Sequence, residues 1–290
     1  MSDDRFSLSD FARIKDRGGK IAMVTAYDAP SARLADAAGV DSVLVGDSAA
    51  MTVLGHDSTV PVTVEEMLML TRAVSRGARR AFVIADMPFG SFQASNRIAL
   101  KTAIRFVKEG GAHAVKLEGA GASVDRVKAI VGAGIPVMGH IGLTPQSAAL
   151  LGGYKPQGRT ADRAQGLLEE ANALARAGCF AIVLEAIPEV VAARITESLR
   201  VPTIGIGAGA SCAGQVLVWH DLLGLSTGHV PQFVKRYADL SDLIGAALSA
   251  YVADVRAARF PESRHTYAML PGEVELFRAE LAGMSGRRGS

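Results

Sequence analysis

Short apolar runs alternate along the chain with longer stretches whose apolar positions recur at helical spacing. The runs are IAMVTAYD (21–28), SVLVGDS (42–48), FVIADMP (82–88), AVKLEG (114–119), PVMGHIG (136–142), AIVLEAI (181–187) and PTIGIGAG (202–209). An eighth, QVLVWHD (215–221), reads equally as a strand or as the opening of a helix. Most runs are continuously apolar, the pattern of parallel strands covered on both faces. The spacing predicts helices over Leu8–Arg17, Val64–Gly77, Asn96–Glu109, Ala161–Ala177 and Pro188–Leu199. Gly110–Gly111 and Gly178 fall where a helix end needs a left-handed residue.

Eight strand–helix units in 290 residues are what an α/β fold of the (β/α)8 TIM-barrel type requires. An open doubly wound sheet would carry a glycine-rich phosphate loop after its first strand. Here that strand runs into AYDAPSA, and the late GIGAG (205–209) lacks the third glycine of a dinucleotide fingerprint. The Leu8–Arg17 helix is expected to close the bottom of the barrel. Residues 1–267 are read as a single catalytic barrel domain and 268–290 as a C-terminal extension. The extension's last stretch, AGMSGRRGS (282–290), is small, polar and expected to be disordered.

Composition narrows the function classes. Lysine and arginine number 31 against 29 aspartate and glutamate, with no basic stripe, so nothing electrostatic favours nucleic acid. No apolar run is long enough to span a bilayer. The opening MSDDRFSL has neither secretory nor transit character, and Cys179 and Cys212 match no metal or redox spacing. The expectation is a cytoplasmic protein with reduced thiols.

The chemistry is expected at the ends of the runs. Asp47, Asp86 and Glu118 each terminate a stretch that would be buried as a strand, a costly place for a carboxylate without compensation. Three in successive units suggest a hard divalent cation held by oxygen, most naturally Mg²⁺. Ser48, Lys116, His140 and Glu185 end strands in the same way, and in a barrel those ends form the active-site face. Lys116 and Glu118 are two apart and share one face of their strand. Taken singly, any of these residues is as readily a helix cap. Seven such groups on one rim must neutralise one another or a ligand. His140, alone on an apolar strand, is more often a hydrogen-bonded core residue than a base. His56 sits in a loop, and His113, His220 and His265 form no constellation. Cys179 is placed at the bottom face and Cys212 near the mouth.

The same segments carry a family resemblance. In order, VTAYD (24–28), VGDS (45–48), GHDST-PVT (55–63), ADMPF (85–89), VKLEG (115–119), GHIGLTPQS (139–147), GGYKPQGR (152–159), LEAIP (184–188) and IGIGAG (204–209) resemble the ketopantoate hydroxymethyltransferase family from about residue 5 to 267. The chain differs from that family's usual pattern at Ala49–Ala50, at Gln232 and in its last twenty or so residues. The resemblance implies a barrel of the phosphoenolpyruvate mutase/isocitrate lyase type and a homo-oligomer, commonly a decamer. It also implies transfer of a hydroxymethyl unit from 5,10-methylenetetrahydrofolate to 3-methyl-2-oxobutanoate through a Mg²⁺-stabilised enolate, giving 2-dehydropantoate for pantothenate synthesis. By resemblance the metal carboxylates fall on Asp47, Asp86 and Glu118, the substrate contacts on Asp47, Ser48, Asp86 and Lys116, and the general base on Glu185. Part of the metal coordination is expected to run through water. The GGYKPQGR loop is expected to be a mobile cover. A carbon–carbon lyase of the same superfamily is the enzymatic alternative, but its Lys-Lys-Cys-Gly-His loop is replaced here by LEGAGAS (117–123). A non-catalytic scaffold would have lost some of these five charged residues, and all are present.

Overall fold

The computed structural model describes residues 5–226, 228 and 230–286. Eight parallel strands close into a barrel: β1 (Ile21–Thr25), β2 (Ser42–Val45), β3 (Phe82–Asp86), β4 (Ala114–Glu118), β5 (Val137–Gly142), β6 (Ala181–Glu185), β7 (Thr203–Ile206) and β8 (Gly214–Leu217). β8 returns to pair with β1, with Met23 opposite Val216. The helices of this unit are α1 (Leu8–Asp16), α2 (Ala29–Ala37), α3 (Ala49–Thr52), α4 (Val64–Gly77), α5 (Asn96–Lys108), α6 (Ser123–Gly132), α7 (Ala161–Ala177), α8 (Glu189–Ser198) and α9 (Trp219–Leu222). The architecture is therefore the predicted (β/α)8 barrel.

Local chemistry explains where the helices begin and end. Asp28, Thr63, Ser95 and Thr160 each accept a backbone N–H of the first turn of α2, α4, α5 and α7. At the other end of α7, Gly178 takes φ 104°, a conformation that closes the helix without a Cβ clash.

Two stretches depart from the regular alternation. No helix separates β7 from β8; the chain crosses back through 207–213, with Gly207 (φ 65°) and Gly209 (φ 80°) turning it. The eighth apolar run is both of its readings at once, a strand to Leu217 and then the short helix α9. The crossing also corrects the placing of Cys212. It is fully buried beside Thr196 and Thr203, and Lys20, just ahead of β1, donates to its carbonyl at 2.5 Å. Cys212 therefore lies in the outer layer towards the bottom, away from the mouth.

α1 plugs the bottom as expected. Phe11 packs edge-on against Phe6, Phe82 and Phe180 at centroid distances of 5.0, 5.4 and 5.0 Å. Lys15 fastens the same helix by donating to the carbonyls of Thr196, Leu199 and Val201 at 3.1, 2.7 and 3.0 Å, around the end of α8.

Residues 239–290 form a second compact unit, starting ahead of the boundary at 267 read from the sequence. It contains α10 (Leu240–Arg256) and α11 (Glu273–Gly286), with the Phe260 ring edge-on to Tyr251 and tilted against His265. The stretch read as disordered, 282–290, is helical through Gly286, and 287–290 lie outside the described residues. Among the described residues, no helix is long and apolar enough to cross a membrane.

Candidate active site

Strand periodicity builds the site. Successive side chains of a strand point to opposite faces, so every second residue enters the barrel. Met23, Leu44, Ile84, Ala114, Met138 and Val183 fill the lower interior with Phe11 as one buried apolar cluster. Two residues further along, the same faces present Thr25, Gly46, Asp86, Lys116, His140 and Glu185, and Glu118 follows Lys116 on β4. The interior thus changes from hydrocarbon to charge at the C-terminal ends of the strands, where barrels carry their chemistry.

The register brings these groups together. Asp86 is the strand partner of Lys116, and Glu118 that of His140. Lys116 Nζ donates to Asp86 Oδ1 in an ion pair whose side chains are 4% and 3% exposed. Asp86 Oδ2 accepts the Asp47 amide at 3.1 Å. His140 lies between two acids, with Nδ1 3.5 Å from Glu118 Oε1 and Nε2 3.2 Å from Glu185 Oε2. Both contacts are ion pairs rather than well-aimed hydrogen bonds. Ser48 Oγ lies 2.9 Å from the hydroxyl of buried Tyr27. All six residues predicted for the site (Asp47, Ser48, Asp86, Lys116, Glu118 and Glu185) therefore fall at this end of the barrel.

Three residues outside those six join them. Gln146, in the 3-10 turn Pro145–Ser147 after β5, donates from Nε2 to Asp47 Oδ2 at 2.9 Å and from its backbone N–H to Glu118 Oε2 at 3.0 Å. His140 was among the seven groups expected on the rim, although a lone histidine on an apolar strand is more often a core residue. Tyr27 sits in VTAYD, one of the segments of the resemblance, yet nothing there marked it as the partner of Ser48. For Gln146 the only signal was its place in GHIGLTPQS.

Burial and charge set the electrostatics. Burial, reinforced by Asp86 and Glu118, pushes the Asp47 carboxyl well above the usual range. Burial acts against the charge on Lys116, but Asp86, Glu118 and Asp47 outweigh it and hold the ammonium protonated. At Glu118 the same penalty is overcome by His140, Lys116 and the Gln146 amide, so its carboxyl stays below the ordinary value. Burial and Lys116 oppose protonation of His140, yet Glu118 and Glu185 raise it to about 9.

The donor set fits a divalent cation. Four carboxyl groups face one ammonium and one imidazole, and Asp47, pushed up by burial and by its acidic neighbours, is the acid short of a counter-charge. Gln146 occupies Asp47 Oδ2, and Oδ1 has no donor among the described residues. At Gly46 a Cβ would stand 2.8 Å from Ser48 Oγ and 3.6 Å from Asp86 Oδ2, so only glycine leaves that approach open. The acids are not drawn round one point. Among the described residues, no three His, Cys, Asp or Glu side chains are gathered at metal-ligating spacing. A hydrated cation that keeps several of its waters, as Mg²⁺ does, matches that spread.

The backbone around Glu185 is tightly held. Leu143 N–H donates to Glu185 O at 2.9 Å, and a Cβ on Gly142 (φ 95°) would lie 2.3 Å from that oxygen. The next residue, Ala186, takes φ 47°, a left-handed conformation costing an L-residue about 1–2 kcal/mol. It persists because Ala186 N–H donates to Ile206 O and its carbonyl accepts from Gln157 N–H, each at 2.9 Å. From the 148–158 loop, half-exposed Tyr154 brings its hydroxyl to 3.9 Å from Met51 Sδ. Partial burial and the charges of Asp47, Glu118 and Glu185 raise the pKa of that hydroxyl, placing it within electrostatic reach of the pocket.

The family model described as ketopantoate hydroxymethyltransferase matches residues 5–263. The 3-methyl-2-oxobutanoate hydroxymethyltransferase of Carboxydothermus hydrogenoformans is 58% identical over 272 residues, 94% of this chain and 99% of that protein. Those of Thermobifida fusca and Geobacillus kaustophilus are 54% and 53% identical, covering 91% and 90% of this chain and 94% of each relative. Among solved structures, phosphonopyruvate hydrolase aligns with a TM-score of 0.61 at 14% identity, covering 100% of this chain and 99% of the other. A second structure of that enzyme, in complex with oxalate and Mg²⁺, aligns with a TM-score of 0.59 at 13% identity, covering 97% and 98%. The 2,3-dimethylmalate lyase, a phosphoenolpyruvate mutase/isocitrate lyase superfamily member, gives 0.55 at 17% identity over the whole of both chains.

Proposed function

The chain belongs to the ketopantoate hydroxymethyltransferase family and is an enzyme of that class; on that footing we propose that it transfers a hydroxymethyl unit from 5,10-methylenetetrahydrofolate to 3-methyl-2-oxobutanoate, giving 2-dehydropantoate and tetrahydrofolate in pantothenate synthesis. One observation carries the reading. Asp47, Asp86, Lys116, Glu118 and Glu185 meet, with His140 between two of them, at the charged end of an otherwise apolar barrel.

Asp47, Asp86 and Glu118 would hold Mg²⁺, in part through water, a choice that the oxalate and Mg²⁺ complex of phosphonopyruvate hydrolase supports by analogy of fold. When bound, the cation supplies Lewis-acid stabilisation of negative charge on the keto oxygen. Lys116 binds the carboxylate end of the keto acid with its buried ammonium, assisted by the Ser48 hydroxyl that Tyr27 orients. Glu185 takes the C3 proton as general base, and His140, 3.2 Å from its Oε2, balances the charge before that transfer. Water adds to the methylene carbon as its bonds to the two folate nitrogens break and each nitrogen takes up a proton. C3 of the enolate forms the new carbon–carbon bond to the one-carbon carbonyl so released, whose oxygen takes up the proton removed from C3 and becomes the hydroxyl. To Tyr154 and its loop we assign the limiting of water entry while the enolate is exposed, a role supported by the approach of its hydroxyl to Met51.

We assign the product a place in cytoplasmic metabolism and the protein a homo-oligomeric state. The second is supported by α10, which leaves Leu243, Ile244, Leu248, Tyr251, Val252 and Val255 exposed.

The test is NMR of 3-methyl-2-oxobutanoate in D₂O with the purified protein, with and without Mg²⁺ and before any folate is added. Metal-dependent loss of the C3 proton signal is the expected result. Absence of exchange both with and without tetrahydrofolate overturns the enolisation reading.

A further inference from the structure

We propose that Gln146 is a positioning residue that fixes the acid cluster for its divalent cation, an inference resting on the cation reading given above. Gln146 is 6% exposed and is reached from the loop after β5, yet it contacts the ends of three other strands. Its Nε2 donates to Asp47 Oδ2, next to β2, at 2.9 Å and to Met87 O, after β3, at 3.0 Å. Its backbone N–H donates to Glu118 Oε2, at the end of β4, at 3.0 Å.

Each contact has a local cause. The turn Pro145–Ser147 closes with Ser147 N–H on Thr144 O, and Pro145 has no N–H to give. The Gln146 amide is thus an orphan donor at the start of the turn, and Glu118 takes it. The side-chain amide can adopt only one orientation. Both Nε2 hydrogens face acceptors, whereas Oε1 accepts Gln93 Nε2 at 3.3 Å. Flipping the amide would aim Oε1 at a carboxylate and a carbonyl. Gln93 is oriented in turn by Gly90 N–H, which donates to its Oε1 at 2.8 Å.

A neutral amide suits this task better than a cation. Asp47 and Glu118 are buried acids that repel each other once both are charged. A lysine between them would hold them by cancelling the negative charge that a divalent ion needs. Gln146 supplies two donors and no charge, so each acid keeps one oxygen fixed and the cluster gains no positive charge. Outer partners of this kind govern ligand orientation and metal affinity.

The experiment is Mg²⁺ titration calorimetry on the full chain, comparing the parent with Gln146→Met, which conserves volume and removes both side-chain donors. Circular dichroism establishes that both are folded. We expect Mg²⁺ binding roughly 10- to 100-fold weaker in Gln146→Met. Turnover should return towards the parental rate at saturating Mg²⁺, a recovery that general structural damage would not give. Equal Mg²⁺ affinity in the two proteins overturns the role of Gln146 while leaving the cation site standing. A parent that binds no Mg²⁺ overturns the cation reading and the inference with it. Should Gln146→Met fail to fold, Gln93→Met, which removes only the outer support, carries the test. A weakening of a few fold is then expected, and unchanged affinity refutes the proposal.

Discussion

Asp86 and Lys116 are direct cross-strand partners on β3 and β4, and their side chains close a buried ion pair just above the apolar floor of the barrel. Neighbouring strands in parallel register present paired residues to the same face, so the contact follows from strand alignment alone. Removing one partner of such a pair leaves an uncompensated buried charge. Lys116→Met should lower the unfolding free energy by about 3–5 kcal/mol in urea titrations without Mg²⁺. It should also abolish keto acid binding in calorimetry. Retained binding would remove Lys116 from the substrate contacts.

Glu185→Gln separates binding from proton removal. The amide keeps the size of the carboxylate beside His140 but cannot take a proton. Keto acid affinity should stay within a few fold of the parent, while C3 exchange in D₂O slows by roughly 10²–10⁴. Exchange at the parental rate would require another base.

Tyr27→Phe removes one hydroxyl, the partner of Ser48 Oγ at 2.9 Å. A single neutral hydrogen bond of net worth about 1 kcal/mol corresponds to roughly fivefold in affinity. We expect KM for the keto acid to rise by about that factor with kcat little changed. Ser48→Ala should behave alike, and the double variant should add little beyond either. Full additivity would mean that the two hydroxyls act independently.

Asp10 makes folding of the barrel floor pH-dependent. Hydrogen bonds from the Ser7 hydroxyl and amide, with Arg13 nearby, hold its carboxyl below the ordinary value of 3.8. A depressed pKa adds stability that is present above the unfolded value and is lost as pH falls through the folded one. Asp10→Asn should therefore be less stable than the parent at neutral pH, because it removes the charge that these donors favour. The gap should close as both proteins are titrated below about pH 4. A gap that persists into acid would assign the effect to packing instead of charge.

The strands and their terminal acids were legible because a continuous apolar run ending in Asp or Glu states burial and its exception in the same few residues. Asp47, Asp86, Glu118 and Glu185 needed nothing more. His140 was different. On its own strand it is a polar residue among apolar ones, and only the register of β4, β5 and β6 reveals the acid on either side. Gln146 acts across 99 positions on Asp47, a contact that no local pattern encodes. The β7–β8 crossing departs from the eight strand–helix units expected because Gly207 and Gly209 turn a connection that has no helix. With it went the placing of Cys212, which depends on where that connection descends.

Phe11 and the aromatic rings around it have a kinetic consequence. With its floor stopped, the barrel is a well with one opening, not a passage. In the proposed reaction the keto acid lies at the bottom and the folate above it, so the two cannot exchange places. The keto acid must enter first, and tetrahydrofolate must leave before the finished product can. Traffic through the site is then last in, first out, a sequence imposed by the packed apolar layers beneath it, far from any reacting atom.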